Sequence, residues 1–282
     1  MFMKKSFTKL FILLLVGILC ITGCQSQKLK FGKELAKVGG MVDIFTELTA
    51  KTGDVGIMDS VMAGYYISKD ATYSKELMII EDLVLADEEY GIAARKEGAY
   101  TAKVISNAII ELSKEGKVAE IANKYGLEQS LAIDESKVYD LQDETGKADY
   151  DAIIAKGELV IGYTLFAPIA YEEDGKLIGF DIELAEAVCA KLGVTAKFQK
   201  IDWDTKVFEL NSKNIDVIWN GMTITEELQK NTSITIPYLK NKQIAVIRKA
   251  DSEKYKTTAD MNEAIIVVEK GSAGQLAVEA GE

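Results

Sequence analysis

The chain has 282 residues, 48% of them hydrophobic and 27% charged, enough for one large two-part domain or two small ones with a real core. A formal charge of −11 repels nucleic acid and anionic lipid, which argues against both as partners. Histidine is absent, which removes the usual general base, the Ser-His-Asp and Cys-His arrangements and most catalytic zinc sites.

Residues 1–23 read as an export signal. A basic start with Lys4, Lys5 and Lys9 precedes an apolar run from Leu10 to Thr22. That run is shorter than the ~20 residues a spanning helix needs. Ile21-Thr22-Gly23-Cys24 resembles the bacterial lipobox, in which Cys24 is lipidated and becomes the first residue of the mature protein. Cys20 then leaves with the signal, so Cys189 is the one remaining free thiol and no intramolecular disulfide forms. Cys189 falls on an apolar helix and reads as a small core residue.

Strands and helices then alternate. Lys28–Gly40 reads more helical than extended. Met41–Lys51, Ser60–Ile67, Thr101–Glu115 and Lys117–Tyr125 read as helices, and Val55–Met58 and Tyr90–Arg95 as strands. From Ser130 to Asp149 the apolar rhythm fades and acids accumulate, which reads as a linker. The rhythm restarts with strand Leu159–Gly162, helix Asp181–Leu192, strand Ala196–Gln199, helix Asp204–Asn211, and strands Val217–Asn220, Gln243–Arg248 and Ala264–Val268. Such alternation predicts open α/β sheets, with ligands at the carboxyl ends of strands. In the helix around Asp181, Phe180, Leu184, Val188 and Leu192 form one apolar stripe, and Asp181 and Glu183 sit in the first turn, where acids favour the helix dipole.

Three short stretches carry candidate binding chemistry. Asn220-Gly221-Met222-Thr223 follows a strand, where a tight turn can aim backbone N–H groups and the Thr223 hydroxyl at a ligand. Ser272-Ala273-Gly274 opens a helix after a strand and can present N–H groups in the same way. Asp59 ends the strand Val55–Met58 and, on local grounds alone, reads as an N-cap for the helix that follows. Trp203 and Trp219 read as packing residues rather than ligand contacts. No pattern calls for a catalytic residue, a metal or a cofactor.

The run Gly179-Phe180-Asp181-Ile182-Glu183-Leu184, with Val188-Cys189 and Leu192, resembles the amino-acid-type (family 3) extracellular solute-binding proteins of bacterial ABC importers. "ELVIGYTLFAPIAYEEDGKLIGFD", "LNSKNIDVIWNGMTITEE", "QIAVIRKAD" and "IIVVEKGSAG" resemble, in order, that family's first strand, ligand turn, hinge crossing and start of the second lobe. Residues 30–128 resemble the family's other half. "TGDVGIMDSVMAGYYI" is similar to the end of the second lobe, "LVLADEEYGIAARKEG" to the return hinge and "ISNAIIELSKEGKVAEIANKYG" to the closing helices.

The resemblance implies an α/β, two-lobed periplasmic-binding-protein fold of the type II, Venus-flytrap kind, with its halves in circularly permuted order. The implied divisions are 1–23 signal, 24–82 second part of lobe two, and 83–130 return hinge and closing helices of lobe one. An acidic linker follows over 131–149, then 150–242 as the first part of lobe one, 243–250 as the hinge strand and 251–282 as the first part of lobe two. The remainder of the lobe begun at Gly271 is then expected upstream, just after Cys24. A true permutation also requires Val55–Met58 and Ala264–Val268 to share a sheet.

By resemblance, Asp59 binds a ligand ammonium, and Tyr163 and Phe166 offer an aromatic wall. Asn220, Gly221, Met222, Thr223, Ser272, Ala273 and Gly274 complete the site. Many family members carry a carboxylate-clamping arginine after the Gly-Met-Thr turn; here the corresponding residue is Leu228, so Lys230 or Lys242 compensates or the ligand is not a standard α-amino acid. The implied function is a monomeric, lipid-anchored, extracytoplasmic receptor. It passes an amino acid or similar small polar solute to ABC permease subunits. A ligand sensor, a rearranged non-functional remnant or a dehydratase-like enzyme on the same fold are the alternatives.

Overall fold

The computed structural model describes residues 28–279. The signal segment 1–23 and Cys24 lie outside these residues. In chain order the first elements are β1 (Glu34–Val38), α1 (Asp43–Thr49), β2 (Val55–Asp59), α2 (Ser60–Lys69), α3 (Ala71–Glu76) and the long β3 (Leu77–Arg95). Then come α4 (Ala99–Lys114), α5 (Lys117–Tyr125), α6 (Lys147–Lys156), β4 (Glu158–Tyr163), the hairpin β5 (Tyr171–Glu173) and β6 (Lys176–Ile178), and α7 (Phe180–Leu192). The chain closes with β7 (Thr195–Lys200), α8 (Lys206–Asn211), β8 (Val217–Thr223), α9 (Glu226–Asn231), β9 (Thr232–Ile234), β10 (Leu239–Arg248), β11 (Ile265–Glu269) and α10 (Ala273–Val278).

Lys28–Gly40 departs from its helical reading. Its centre is the strand β1, which pairs in parallel with β11 from Glu34↔Ile265 to Val38↔Glu269. "ELAKV" has good helix formers, but it is too short to hold a helix alone, and the open edge of β11 supplies the hydrogen bonds. β11 pairs in parallel with β2 on its other side, Ile266↔Val55 and Val267↔Gly56, so the two segments expected to share a sheet are neighbours.

The main sheet runs β1-β11-β2-β10-β3-β8-β4-β7, with β9 also on β3. It is parallel at both ends and antiparallel in the middle, where β10 and β3 pair over most of their length. β2, β11, α1, α2 and α10 build one half of the molecule; β4, β7, β8 and α4 to α9 build the other. β3 and β10 run between them. The halves have separate cores as well as a shared one. Val55, Ile57, Ala245, Ile247, Ile266 and Val268 are packed together in the first. Val160, Leu210, Ile215, Ile218 and Met222 are packed together in the second. Cys189 is buried on α7, as its apolar stripe requires.

The acidic segment is fastened rather than loose. Its last residues already belong to α6, and Asp149 pairs with the buried Arg95 at 2.7 Å. The rest lies along α4: Ser113 donates to Glu135, Asn107 exchanges two hydrogen bonds with the Tyr139 backbone, and Lys103 pairs with Asp143. Leu131 forms a bridge with Leu239. At the opposite edge, Lys30 N–H donates to Val278 O at 2.8 Å and Leu29 bridges Glu279.

Candidate functional site

Parallel strands ending in an apolar run point their carboxyl ends to one side of the sheet. β2 ends in Asp59 and β11, beside it, ends in Glu269, so the first half places two carboxyls on one rim. Both are buried, at 5% and 4% exposure. From the other half, β8 brings Asn220 to Thr223, the segment before α8 brings Trp203 and Asp204, and α8 begins with Lys206. Between the halves lies a cavity of about 300 Å³ lined by these residues, by Phe166 and by Ser272 and Ala273.

Asp59 occupies the N-cap position of α2, yet its side chain makes no capping hydrogen bond. It turns to β3 and β10 instead. Asn241 and Gln243 lie on one face of β10, two residues apart. Gln243 stands opposite Asp59 on β2, and Asn241 opposite Glu88 on β3. Asp59 Oδ1 accepts from the Tyr90 hydroxyl at 2.8 Å, from Gln243 Nε2 at 3.0 Å and from Asn241 Nδ2. Glu88 Oε2 accepts from the same two amides and from the Thr223 hydroxyl. Burial, with Glu88 nearby, pushes Asp59 well above the usual carboxylate range, and burial pushes Glu88 up as well. Burial pushes Glu269 up to about 7, against the pull of the Met41 N–H and of Lys206.

Asn220-Gly221-Met222-Thr223 is not a turn after a strand but the continuation of β8, bent at Gly221. Gly221 has φ +58°, and a Cβ there would meet the Phe166 ring at 2.5 Å, so glycine is needed for both conformation and contact. Beside it the β3–β8 register shifts between Gly91 and Ala93, as at a bulge. The Gly221 N–H, expected to face the ligand, donates at 2.7 Å to Asp181, which also accepts from the Tyr238 hydroxyl at 2.8 Å. Asp181 is therefore no helix-dipole acid alone: it is buried, pushed up to about 7 by that burial despite both hydrogen bonds, and it fixes the bend. The Thr223 hydroxyl is spent on Glu88. Asn220 Nδ2 donates to Thr164 at 2.9 Å, while its Oδ1 has no partner among the described residues.

Two expected residues lie elsewhere. Tyr163 packs with Ala170 and Ile182 in a separate small cluster, outside the cavity wall. Gly274 also lies outside the lining; a Cβ there would meet Ile57 O at 2.9 Å, so its role is the close seating of α10 on β2. Ser272 and Ala273 do line the cavity, with the Ser272 hydroxyl capping α10 through Gln275 N–H. Trp219 is core; Trp203 packs in the core of the second half and also forms part of the wall.

Leu228 lines the cavity where an arginine was missed. Neither proposed substitute fills in. Lys230 is exposed beside Glu226, and Lys242 lines a second groove with Glu88 and Lys240. The cation in the wall is Lys206, whose Nζ donates to Gly271 O across the cleft at 2.8 Å and to Trp203 O at 3.1 Å, over the Trp203 ring. Burial lowers its pKa. Lys270 and Asp204 form a second cross-cleft link at 2.8 Å.

Glu269 and Lys206 were both missed. Glu269 was readable: "VGIMD" and "IIVVE" are the same pattern, an apolar strand ended by an acid. Nothing in "WDTKVF" marks Lys206.

Among the described residues no helix is long and apolar enough to cross a membrane. Residues 159–277 match the family model of the bacterial extracellular solute-binding proteins, family 3. The L-cystine-binding protein TcyJ of Escherichia coli K12 is 33% identical over 38% of this chain and 41% of its own length. The arginine-binding extracellular protein ArtP of Bacillus subtilis 168 is 30% identical over 37% of this chain and 41% of its own. A histidine-bound ABC uptake transporter substrate-binding protein from Streptococcus pneumoniae is 39% identical over 29% of this chain and 35% of that chain, with a TM-score of 0.29. The chain thus spans about two-fifths of the length of the curated relatives it matches. Over residues 159–277 the chain is thus similar to the bacterial extracellular solute-binding proteins, family 3.

Proposed function

We propose that the protein is an extracytoplasmic receptor that captures an amino acid or similar small polar solute between its two halves and delivers it to an ABC importer. The observation that carries this reading is the cavity itself: buried Asp59 and Glu269 on one side, Phe166, Asn220 and Lys206 on the other, and direct cross-cleft bonds around it. A cleft closed by two bodies buries a small ligand on most of its surface. Lipidation of Cys24 anchors the receptor to the outer face of the cytoplasmic membrane, and it acts as a monomer without catalysis.

The order of the halves is part of the proposal. β11 and α10 lead spatially into β1, α1 and β2, and Lys30 N–H meets Val278 O at that join. This supports a circular permutation, with the segment 131–149 connecting what would otherwise be the two ends of the type II fold.

Titration of the purified protein with amino acids and related amines, followed calorimetrically and by the fluorescence of Trp203, tests the receptor reading. One saturable site is expected. Absence of binding across such a panel refutes it.

A further inference from the structure

The polar groups of the cleft divide unevenly between donors and acceptors. The donors on β8 and at Lys206 are mostly spent. Gly221 N–H goes to Asp181, the Thr223 hydroxyl to Glu88 and Asn220 Nδ2 to Thr164. Lys206 gives two of its three N–H bonds to backbone carbonyls.

The acceptors are not. The side-chain bonds to Asp59 all fall on Oδ1, leaving Oδ2 without a side-chain donor among the described residues. Glu269 accepts one backbone N–H on Oε1. Asn220, 2% exposed and in the cavity wall, has an Oδ1 with no partner among the described residues. Glu227 adds another carboxylate to the lining, Asp204 is already paired with Lys270, and Leu228 adds no donor. Buried acceptors left without donors cost free energy, and a ligand that supplies the donors recovers it.

We propose, building on the receptor reading above, that the ligand is a small organic cation, an amine or guanidinium compound, held by Asp59, Glu269 and the Asn220 carbonyl, with no requirement for an α-carboxylate. The ligand's N–H groups are the missing donors. Its positive charge balances carboxylates that Lys206 alone does not match. An α-carboxylate would face Asp59, Glu269 and Glu227, with Lys206 as the one cation of the lining to balance it.

The test is calorimetric titration of the purified protein with matched probes: L-arginine against agmatine, which is arginine without its carboxyl, and L-lysine against cadaverine, with L-glutamine and L-glutamate as neutral and acidic comparisons. Each decarboxylated probe is expected to bind within about tenfold of its parent, and glutamine and glutamate at least about 100-fold more weakly. The Glu269→Gln and Asp59→Asn variants are each expected to lose at least about tenfold in agmatine affinity. A loss of about 100-fold or more from arginine to agmatine would show that a carboxylate is required and overturn the proposal. Equal or tighter binding of glutamine or glutamate overturns it too, while leaving the receptor reading intact. Failure of every probe to bind removes both.

Discussion

Glu269 offers the sharpest test of how the cleft is built. It is 4% exposed and pushed from 4.5 up to about 7, so its ionised form is disfavoured in the folded, ligand-free protein. A carboxyl with a raised folded pKa contributes stability that is fully present below about pH 4.5 and is lost as pH rises through 7. At ~1.4 kcal/mol per pKa unit, the shift corresponds to about 3 kcal/mol. Glutamine fills the same volume and still accepts from Met41 N–H through its carbonyl, but it cannot ionise. Glu269→Gln is therefore expected to gain stability relative to the natural chain as pH rises from 4 to 8, by roughly 3 kcal/mol, somewhat less because Lys206 loses a compensating neighbour. Urea titrations of both proteins at the two pH values measure the difference. Asp181, which does not feel Glu269, titrates in both proteins and cancels in the comparison, whereas Asp59 loses the repulsion of Glu269 in the variant and is pushed up less. A stability gap that does not change with pH would refute the assignment of Glu269 as a destabilised, unpaired carboxylate.

Asp59→Asn is expected to weaken binding of an amine ligand by roughly 2–5 kcal/mol, read by calorimetric titration; unchanged affinity would remove Asp59 from the site. Gly221→Ala must place a Cβ against Phe166 in a left-handed backbone, and a loss of about 1–3 kcal/mol in thermal or urea unfolding is expected; a neutral result would mean that the β8 bend is soft. A chain reordered as residues 147–279 followed by 28–130 should fold to the same far-ultraviolet spectrum and unfold in one transition. The join from Glu279 to Leu29 is already made in space, so two separated transitions would count against the permutation.

Much of this was legible because local pattern and tertiary role agreed. α7 carries one apolar stripe, and α5 and β4 lie within a residue of their expected bounds. Residues whose roles depend on distant partners were not legible. β1 is extended because β11 offers it an edge more than 200 residues away in sequence, as the Glu34↔Ile265 pairing shows. The spending of Gly221 N–H on Asp181 depends on α7 packing beneath β8, which no spacing within either segment announces. Lys206 joins the site because its ammonium reaches a carbonyl of the opposite half. Asp59 and Phe166, marked only by the resemblance, line the cavity, whereas Tyr163, marked in the same way, packs in a separate cluster.

The β10–β3 ribbon slips register twice, between Gln243 and Ile244 and between Ile244 and Val246. A ladder bends most easily where its rungs are irregular, so a pivot between the two halves is expected here. Gln243, at the edge of that pivot, also holds the carboxyls of Asp59 and Glu88. Swinging the halves apart there would loosen the grip on both acids in the same stroke. On the receptor reading the pivot and the charged seat would be a single mechanical part, and substitutions at the apolar Ile244 are expected to alter solute retention through leverage rather than contact.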